Sequence, residues 1–453
     1  MISRKCWGAS CGAAWLMLVS SAAVSLGAEV PMTEWAGEEE AQNPNASDSG
    51  RLIIPTPLGL DWCRGRAREA NPELASVSAT AQAARIRVDS VGTFDDPRFA
   101  YEASNIPTGD FDFSSTPLSG HQLGLRQKLP YPGLLSNRKA AAKKGARATE
   151  LSVDDRRLLI DGEVESAWSE LGFAQKALDI TNRNIELLRQ LSATAESRYR
   201  VGSGLQQDVL RAQVELTVLL QERLRRDEAI ERAESRLVAL LDLPPTIELP
   251  RTGGLEFTAD EPVLAALLSS LEQRSARIQS AEMKVDEARL GIRVAELEGL
   301  PDLDVGIGYR IRKSVRGDTV DGDDFVSAGF TVRLPVNRSK WRARVAEQRA
   351  KLRRAEAELR GVKAMLSSRT RTAFAALVRA SSEEALLETG LVPQARQSLE
   401  ASRSAYKVGR IEFLSLLDSQ VRLLGAELRL VRARADKRLA FAALESASGE
   451  KLR

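Results

Sequence analysis

The chain has 453 residues, 28% charged and 43% hydrophobic, enough to bury a sizeable core. Its 65 basic and 62 acidic residues nearly balance and are mixed along the chain, which removes the usual reason to expect a nucleic-acid partner. Only 5% of residues are aromatic, while Ala, Leu, Arg and Glu fill long stretches, and that usage suits long or coiled helices over a compact α/β enzyme.

Arg4 and Lys5 precede an apolar run from Ala13 to Leu26, followed by the small residues Gly27 and Ala28. Residues 1–28 therefore read as an export signal. Cys6 and Cys11 fall within it, and Cys11 precedes the apolar run where an acyl-anchored cysteine follows one, so no lipid anchor is expected. The mature chain keeps Cys63 alone, reads as free of internal disulfides, and must rely on packing. Residues 29–57, rich in Glu, Asn, Ser and Pro, read as a flexible mature N-terminus. Beyond the signal no apolar run reaches the length of a membrane helix, so any membrane entry is expected through strands.

The elements then fall into two matching sets. In the first half, 58–243, a shorter helix (58–90), strands (97–105 and 119–129), a very long helix (134–200) and a returning helix (205–243) are expected. Pro244, Pro245, Pro250, Gly253 and Gly254 break the pattern across a linker at 244–260. The second half, 261–453, repeats the order: a helix (261–299), strands (301–311 and 325–334), a long helix (338–407) and a last helix (411–447).

The halves also share residues. Tyr199-Arg200-Val201-Gly202 precedes Leu210, Gln213, Val214 and Leu216; Tyr406-Lys407-Val408-Gly409 precedes Leu417, Gln420, Val421 and Leu423 at identical intervals, 207 residues on. Leu129-Pro130 and Leu334-Pro335 repeat at an offset of 205. Val164, Ala167, Leu171, Ala174 and Leu178 step by three and four, as do Leu414, Leu417, Val421, Leu424 and Leu428. Such spacing buries a narrow seam against another helix.

In the strands, Leu303, Val305, Ile307, Tyr309 and Ile311 alternate with Asp304, Gly306, Gly308 and Arg310; Val326, Ala328, Phe330, Val332 and Leu334 alternate with Ser327, Gly329, Thr331 and Arg333. The first-half strands alternate more weakly, with Phe99, Tyr101 and Ala103 on one face and Leu123, Leu125 and Leu129 in the next strand. Segments of about ten residues suit tilted membrane strands. Two soluble hairpins capping a helical bundle fit the same alternation; the export signal favours the membrane. Four strands cannot close a barrel in lipid, so they are expected to be pooled between chains.

This architecture resembles the TolC-like outer-membrane factors across nearly all the mature chain. The doubled Tyr-x-Val-Gly turn is its most specific part, and the Gln127-to-Leu135 run (QKLPYPGLL) is most similar to the branch serving heavy-metal exporters. The resemblance implies a fold that is mainly α with membrane β: two structural repeats per protomer, a homotrimeric 12-stranded β-barrel in outer-membrane lipid, and a coiled-coil periplasmic tunnel in a Gram-negative cell. It implies a passive exit duct working with a periplasmic adaptor and an inner-membrane pump of the resistance-nodulation-division type, exporting heavy-metal cations or drugs. A periplasmic coiled-coil adaptor or a structural scaffold stands as the alternative. The turns at Tyr199, Val201, Gly202, Val408, Gly409 and Arg410 then dock the adaptor. Tyr406 and Asp208 resemble a pair that holds the tip closed, and Asp418 matches one of two aspartates forming an acidic ring. Ser415 stands where the other aspartate belongs, and Ile411 stands where the family often has an arginine.

No phosphate loop, hydrolase elbow or paired metal motif occurs in the sequence, so neither enzyme activity nor a cofactor is expected. His121, on an alternating strand, reads as a barrel residue, and Cys63 as structural.

Overall fold

The computed structural model describes residues 53–109, 111–114, 116–257, 262–320 and 322–452. The expected export signal, Cys6, Cys11 and most of the 29–57 stretch lie outside them.

Two helices begin the described chain where one is expected over 58–90. Helix α1 spans Leu60–Ala70 and α2 spans Pro72–Val91. Asn71 divides them because its side chain accepts from the backbone N–H of Glu73 and Leu74, at 3.0 and 3.2 Å, and Pro72 has no N–H to continue α1. The helix expected over 261–299 divides the same way at Ser275, whose hydroxyl caps Ile278, giving α5 (Leu264–Arg274) and α6 (Ala276–Glu298).

Helix α3, Leu134–Arg200, has 67 residues and therefore extends roughly 100 Å. It enters through Gly133, held at φ 89°, and after a tight turn returns as α4, Gln206–Leu240. In the second half the stretch 338–407 is not one helix. Helix α7 (Arg338–Leu386) passes through a π-helical turn at Leu387–Leu391 into α8 (Val392–Lys407). Pro393 supplies the cause, since it has no N–H for the α-helical bond and its ring displaces the preceding carbonyl. Helix α9, Phe413–Ser448, is the last helix of the described residues.

Strands β1 (Arg98–Ser104), β2 (Gly120–Leu129), β3 (Asp302–Ile311) and β4 (Phe325–Arg333) form one antiparallel sheet in that order. The register draws rows across it: Phe99, Leu125, Ile307 and Ala328 align, as do Tyr101, Leu123, Tyr309 and Val326. This face is apolar and open: Phe99, Ile307, Val326 and Phe330 are each more than half exposed. The opposite face carries Arg98, Arg126, Gly306 and Gly329 in one row and Glu102, Gln122, Arg310 and Phe325 in another. Both edges, β1 and β4, have no further strand beside them among the described residues. His121, at the start of β2, stacks on Phe113 at 3.9 Å and shares a 2.8 Å hydrogen bond with the Tyr101 hydroxyl.

The principal core lies midway along α3, where Leu58, Cys63, Ile160, Val164, Ala167, Leu171, Leu237 and Leu241 are sealed from solvent. A buried ion cluster sits beside it. Glu165 meets Arg64 at 2.5 Å and Arg438 at 3.7 Å, and Arg64 also meets Glu445 at 3.5 Å. Arg438 donates to the carbonyls of Leu255 and Glu256 and lies over the rings of Trp168 and Phe257 at about 5 Å, which fixes the inter-repeat linker against α3 and α9.

Candidate gate and docking turns

The repeated motifs become two turns with one hydrogen-bond pattern. After α3, Gly202 takes φ 75°, its N–H bonds the Tyr199 carbonyl at 3.0 Å, and the Ser203 N–H bonds the Arg198 carbonyl at 2.9 Å. After α8, Gly409 also takes φ 75°, its N–H bonds the Tyr406 carbonyl at 3.0 Å, and the Arg410 N–H bonds the Ala405 carbonyl at 2.9 Å. Glycine is required at both positions because this left-handed conformation strains any residue with a Cβ.

Side chains at the two turns differ where the backbones agree. Tyr199, Val201 and Val408 project into solvent, the valines being 75% and 69% exposed. Tyr406 is buried, with its ring edge-on to Phe413 at 5.6 Å. The two belong to a cluster with Leu191, Ala195, Ala212, Leu399 and Leu416, so residues from both helical hairpins share one small core. Gln420 adds a polar lock, donating from Nε2 to the Asn184 carbonyl of α3 at 3.3 Å.

Arg198 completes this cluster. Its guanidinium lies 4.8 Å from the centre of the Tyr406 ring, donates through Nη1 to the Tyr406 carbonyl at 2.5 Å, and donates through Nη2 to the Ser203 carbonyl at 3.2 Å. One side chain therefore ties the first turn to the second. Sequence reading missed Arg198. Its counterpart 207 residues on is Ala405, so the repeat gave no cue; the only signal was the charged flank of the Tyr-x-Val-Gly motif.

Tyr406 and Asp208 are the expected gate pair. No hydrogen bond joins them, and the buried Tyr406 hydroxyl has no partner. Burial pushes the Tyr406 phenol above its ordinary range; the charge of Asp208 adds to that, and Arg198 opposes it. Asp418 is exposed but not a bare carboxylate, because Arg422 one turn later donates to it from Nε at 2.8 Å. Ser415 is exposed and its carbonyl accepts from Ser419. Arg410 is exposed, while Ile411 packs against the Tyr406 cluster.

The family described as outer membrane efflux protein matches residues 64–242 and again residues 267–450. The chain belongs to that family. It is a family of outer-membrane transport ducts, not of enzymes. This outer membrane efflux protein is 28% identical over 293 residues to Protein CyaE of Bordetella pertussis, a match covering 64% of this chain and 61% of that relative's length. Among solved structures it is similar to the outer-membrane channel OprN, with TM-score 0.74 and 20% identity over 87% of this chain and 90% of that one. It is also similar to the outer membrane protein VceC of Vibrio cholerae, with TM-score 0.72 and 19% identity over 87% and 97% of the two chains. The open-state MtrE channel of Neisseria gonorrhoeae gives TM-score 0.72 and 17% identity, over 87% and 89%. At these identities the likenesses establish the fold, a TolC-like outer-membrane channel.

Proposed function

We propose that this chain is one protomer of a homotrimeric exit duct, each copy giving four strands to a 12-stranded barrel and its helices to a periplasmic tunnel. The observation carrying this reading is the sheet: among the described residues, four strands with two open edges and one continuous apolar face exposed. Unpaired backbone groups are not tolerated in hydrocarbon, and three such sheets joined β4 to β1 leave none. Helix α4 supports the assembly, since Leu210, Val214 and Val218 form an exposed apolar line at four-residue spacing that suits a neighbouring helix. The match of one family description to both halves supports reading them as structural repeats. An adaptor, the alternative, calls for a single helical hairpin, and this chain has two.

The duct does no chemistry. A pump of the resistance-nodulation-division type, energised in the inner membrane, delivers cargo through a periplasmic adaptor that docks on the turns at Tyr199 to Gly202 and Val408 to Arg410. Docking favours the open tip only by binding it more tightly than the closed one. The gate is the Arg198, Tyr406 and Phe413 cluster, with Asp208 beside it and Asp418 and Ser415 on the pore side of α9. The run at 127–135 favours heavy-metal cations as cargo, with drugs as the second class. Cross-linking of the detergent-extracted protein followed by mass measurement tests the assembly: a trimer that conducts in planar bilayers is expected, and a water-soluble monomer would end the reading.

A further inference from the structure

Where β4 runs into α7, the open apolar face of the sheet meets a cluster of cations. Leu334 continues the face of Val326, Ala328, Phe330 and Val332, and Val336 follows at the same alternation; they are 66% and 85% exposed. Beyond them the chain reads Arg338-Ser339-Lys340-Trp341-Arg342-Ala343-Arg344. An open groove of about 720 Å³ connects the two chemistries, walled by Leu334, Val336, Arg338, Trp341 and Arg342 with Leu300 beside them.

Of the five cations at this corner, Arg333, Arg338, Lys340, Arg342 and Arg344, three are uncompensated among the described residues. Arg333 and Arg344 have carboxylate partners, Asp302 at 2.7 Å and Glu298 at 3.5 Å, and both guanidiniums also face the Trp341 ring. Arg338, Lys340 and Arg342 have none among the described residues; the Lys340 ammonium lies 5.3 Å from the Trp341 ring centre. Cations gathered without acids cost repulsion, which a bound anion relieves.

The other half of the molecule provides an internal control. At the first strand-Leu-Pro-helix junction the positions 205 residues earlier are Gly133, Leu135, Ser136 and Asn137, all uncharged. Of the bases that follow, Arg138 pairs with Glu298 at 2.7 Å, Lys139 with Asp89 at 3.6 Å and Lys144 with Asp286 at 2.9 Å, and Lys143, further along α3, is exposed without a carboxylate among the described residues. The junction itself therefore needs no free cations.

From this geometry we infer that the Leu334 to Arg344 corner is a binding site for an anionic phospholipid of the periplasmic leaflet. Its acyl chains lie along Leu334, Val336 and the apolar face, its phosphate is held by Arg338, Lys340 and Arg342, and the Trp341 indole sits at the headgroup level where such rings partition. The inference rests on the proposed barrel. A free anion would use the cations but not the exposed Leu334 and Val336, so the site is assigned to lipid.

Native mass spectrometry of the detergent-purified protein tests it with phosphatidylglycerol and phosphatidylethanolamine of equal chain length. The intact trimer is expected to retain phosphatidylglycerol preferentially, and Arg338→Gln with Lys340→Gln and Arg342→Gln is expected to weaken that retention roughly tenfold to hundredfold. Lys340→Gln with Arg342→Gln, both on an exposed helix turn, gives a milder second variant with a partial loss. Lys139→Gln with Lys144→Gln should leave retention unchanged. Equal retention of both lipids by an intact wild-type trimer overturns the site, as does displacement of the lipid by millimolar inorganic phosphate. Failure of the barrel reading shows separately, as the absence of a trimer mass.

Discussion

Arg198 holds Tyr406 from two directions, its guanidinium stacked 4.8 Å over the ring and its Nη1 bonded to the carbonyl of the same residue at 2.5 Å. Among the described residues, the two hairpins share no other polar contact at the turns. Losing the ring contact and the charge-assisted bond costs about 2 kcal/mol, which is roughly a thirtyfold change in the closed-to-open ratio. Arg198→Ala is therefore expected to raise the open probability in planar bilayers. Arg198→Lys should fall between the two, since an ammonium cannot donate to Tyr406 and Ser203 in the same fork. An unchanged open probability in Arg198→Ala would remove this residue from the gate.

The hydroxyl of Tyr406 leads to the opposite expectation. A buried hydroxyl without a partner contributes nothing that phenylalanine lacks, and its removal relieves a desolvated polar atom. Tyr406→Phe should leave conductance at the wild-type value and thermal stability at or slightly above it, and combining it with Asp208→Ala should add only the effect of the lost charge. Tyr406→Ala removes the ring that Arg198 and Phe413 pack against, and a loss of about 3 kcal/mol or more is expected in thermal or chemical denaturation. Opening by Tyr406→Phe alone would restore the hydroxyl to the gate.

How far the sequence carries the reader depends on whether a feature is periodic. The faces of β3 and β4 are legible because alternation has a strict period of two, and the seam of α3 because apolar residues recur at three and four. The breaks at Asn71, Ser275 and Pro393 escape a periodicity reading, since each is set by one side chain or one missing N–H inside an otherwise helical pattern. At the tip, Gly202 and Gly409 announce themselves through the repeated motif. Arg198 does not, because its role is created by the packing of α3 against the second hairpin, about two hundred residues away in sequence. The partner of Asp418 was readable as Arg422 at i+4, the spacing at which helical charges pair.

That Asp418 and Arg422 pairing bears on selectivity. The carboxylate and guanidinium are both more than half exposed, so the bond is weak in energy but still offsets the local charge. If the proposed trimer brings three such pairs together at a constriction, that ring is close to neutral, and the wild-type pore should show little preference for cations. Arg422→Gln leaves the carboxylates unopposed and should make the pore cation-selective; Asp418→Asn should shift it toward anions. Reversal potentials across a KCl gradient measure both. Identical values for the three proteins would place Asp418 away from the narrowest point.

The ion cluster around Glu165 should behave as an all-or-none element. Glu165 is sealed from solvent between Arg64 and Arg438, and its loss leaves two buried guanidiniums with less carboxylate to answer them. Glu165→Ala is expected to destabilise the fold by about 3 to 5 kcal/mol, the usual effect of removing one member of a buried pair. Denaturant unfolding of the detergent-solubilised protein, or the yield of folded trimer, reads this out. Surface pairs such as Arg232 with Glu228 should change stability by well under 1 kcal/mol when broken.

Cys63 reports on the same core. It is fully buried, and burial pushes its thiol up from 9.0 to about 12, so the neutral thiol persists in the folded chain at pH 8. Iodoacetamide should then leave native protein unmodified at that pH and label it fully in denaturant, because alkylation needs both access and a thiolate. The shift also has a sign for stability. An acid whose folded pKa is raised favours folding below its unfolded value, and that contribution declines as pH climbs from 9.0 toward about 12. Labelling of native protein should therefore accelerate above pH 9 in step with unfolding, and Cys63→Ala should remove this part of the alkaline loss. Prompt alkylation at pH 8 without denaturant would mean that α1 opens from α3 on its own and that the central core is not the most protected part of the chain.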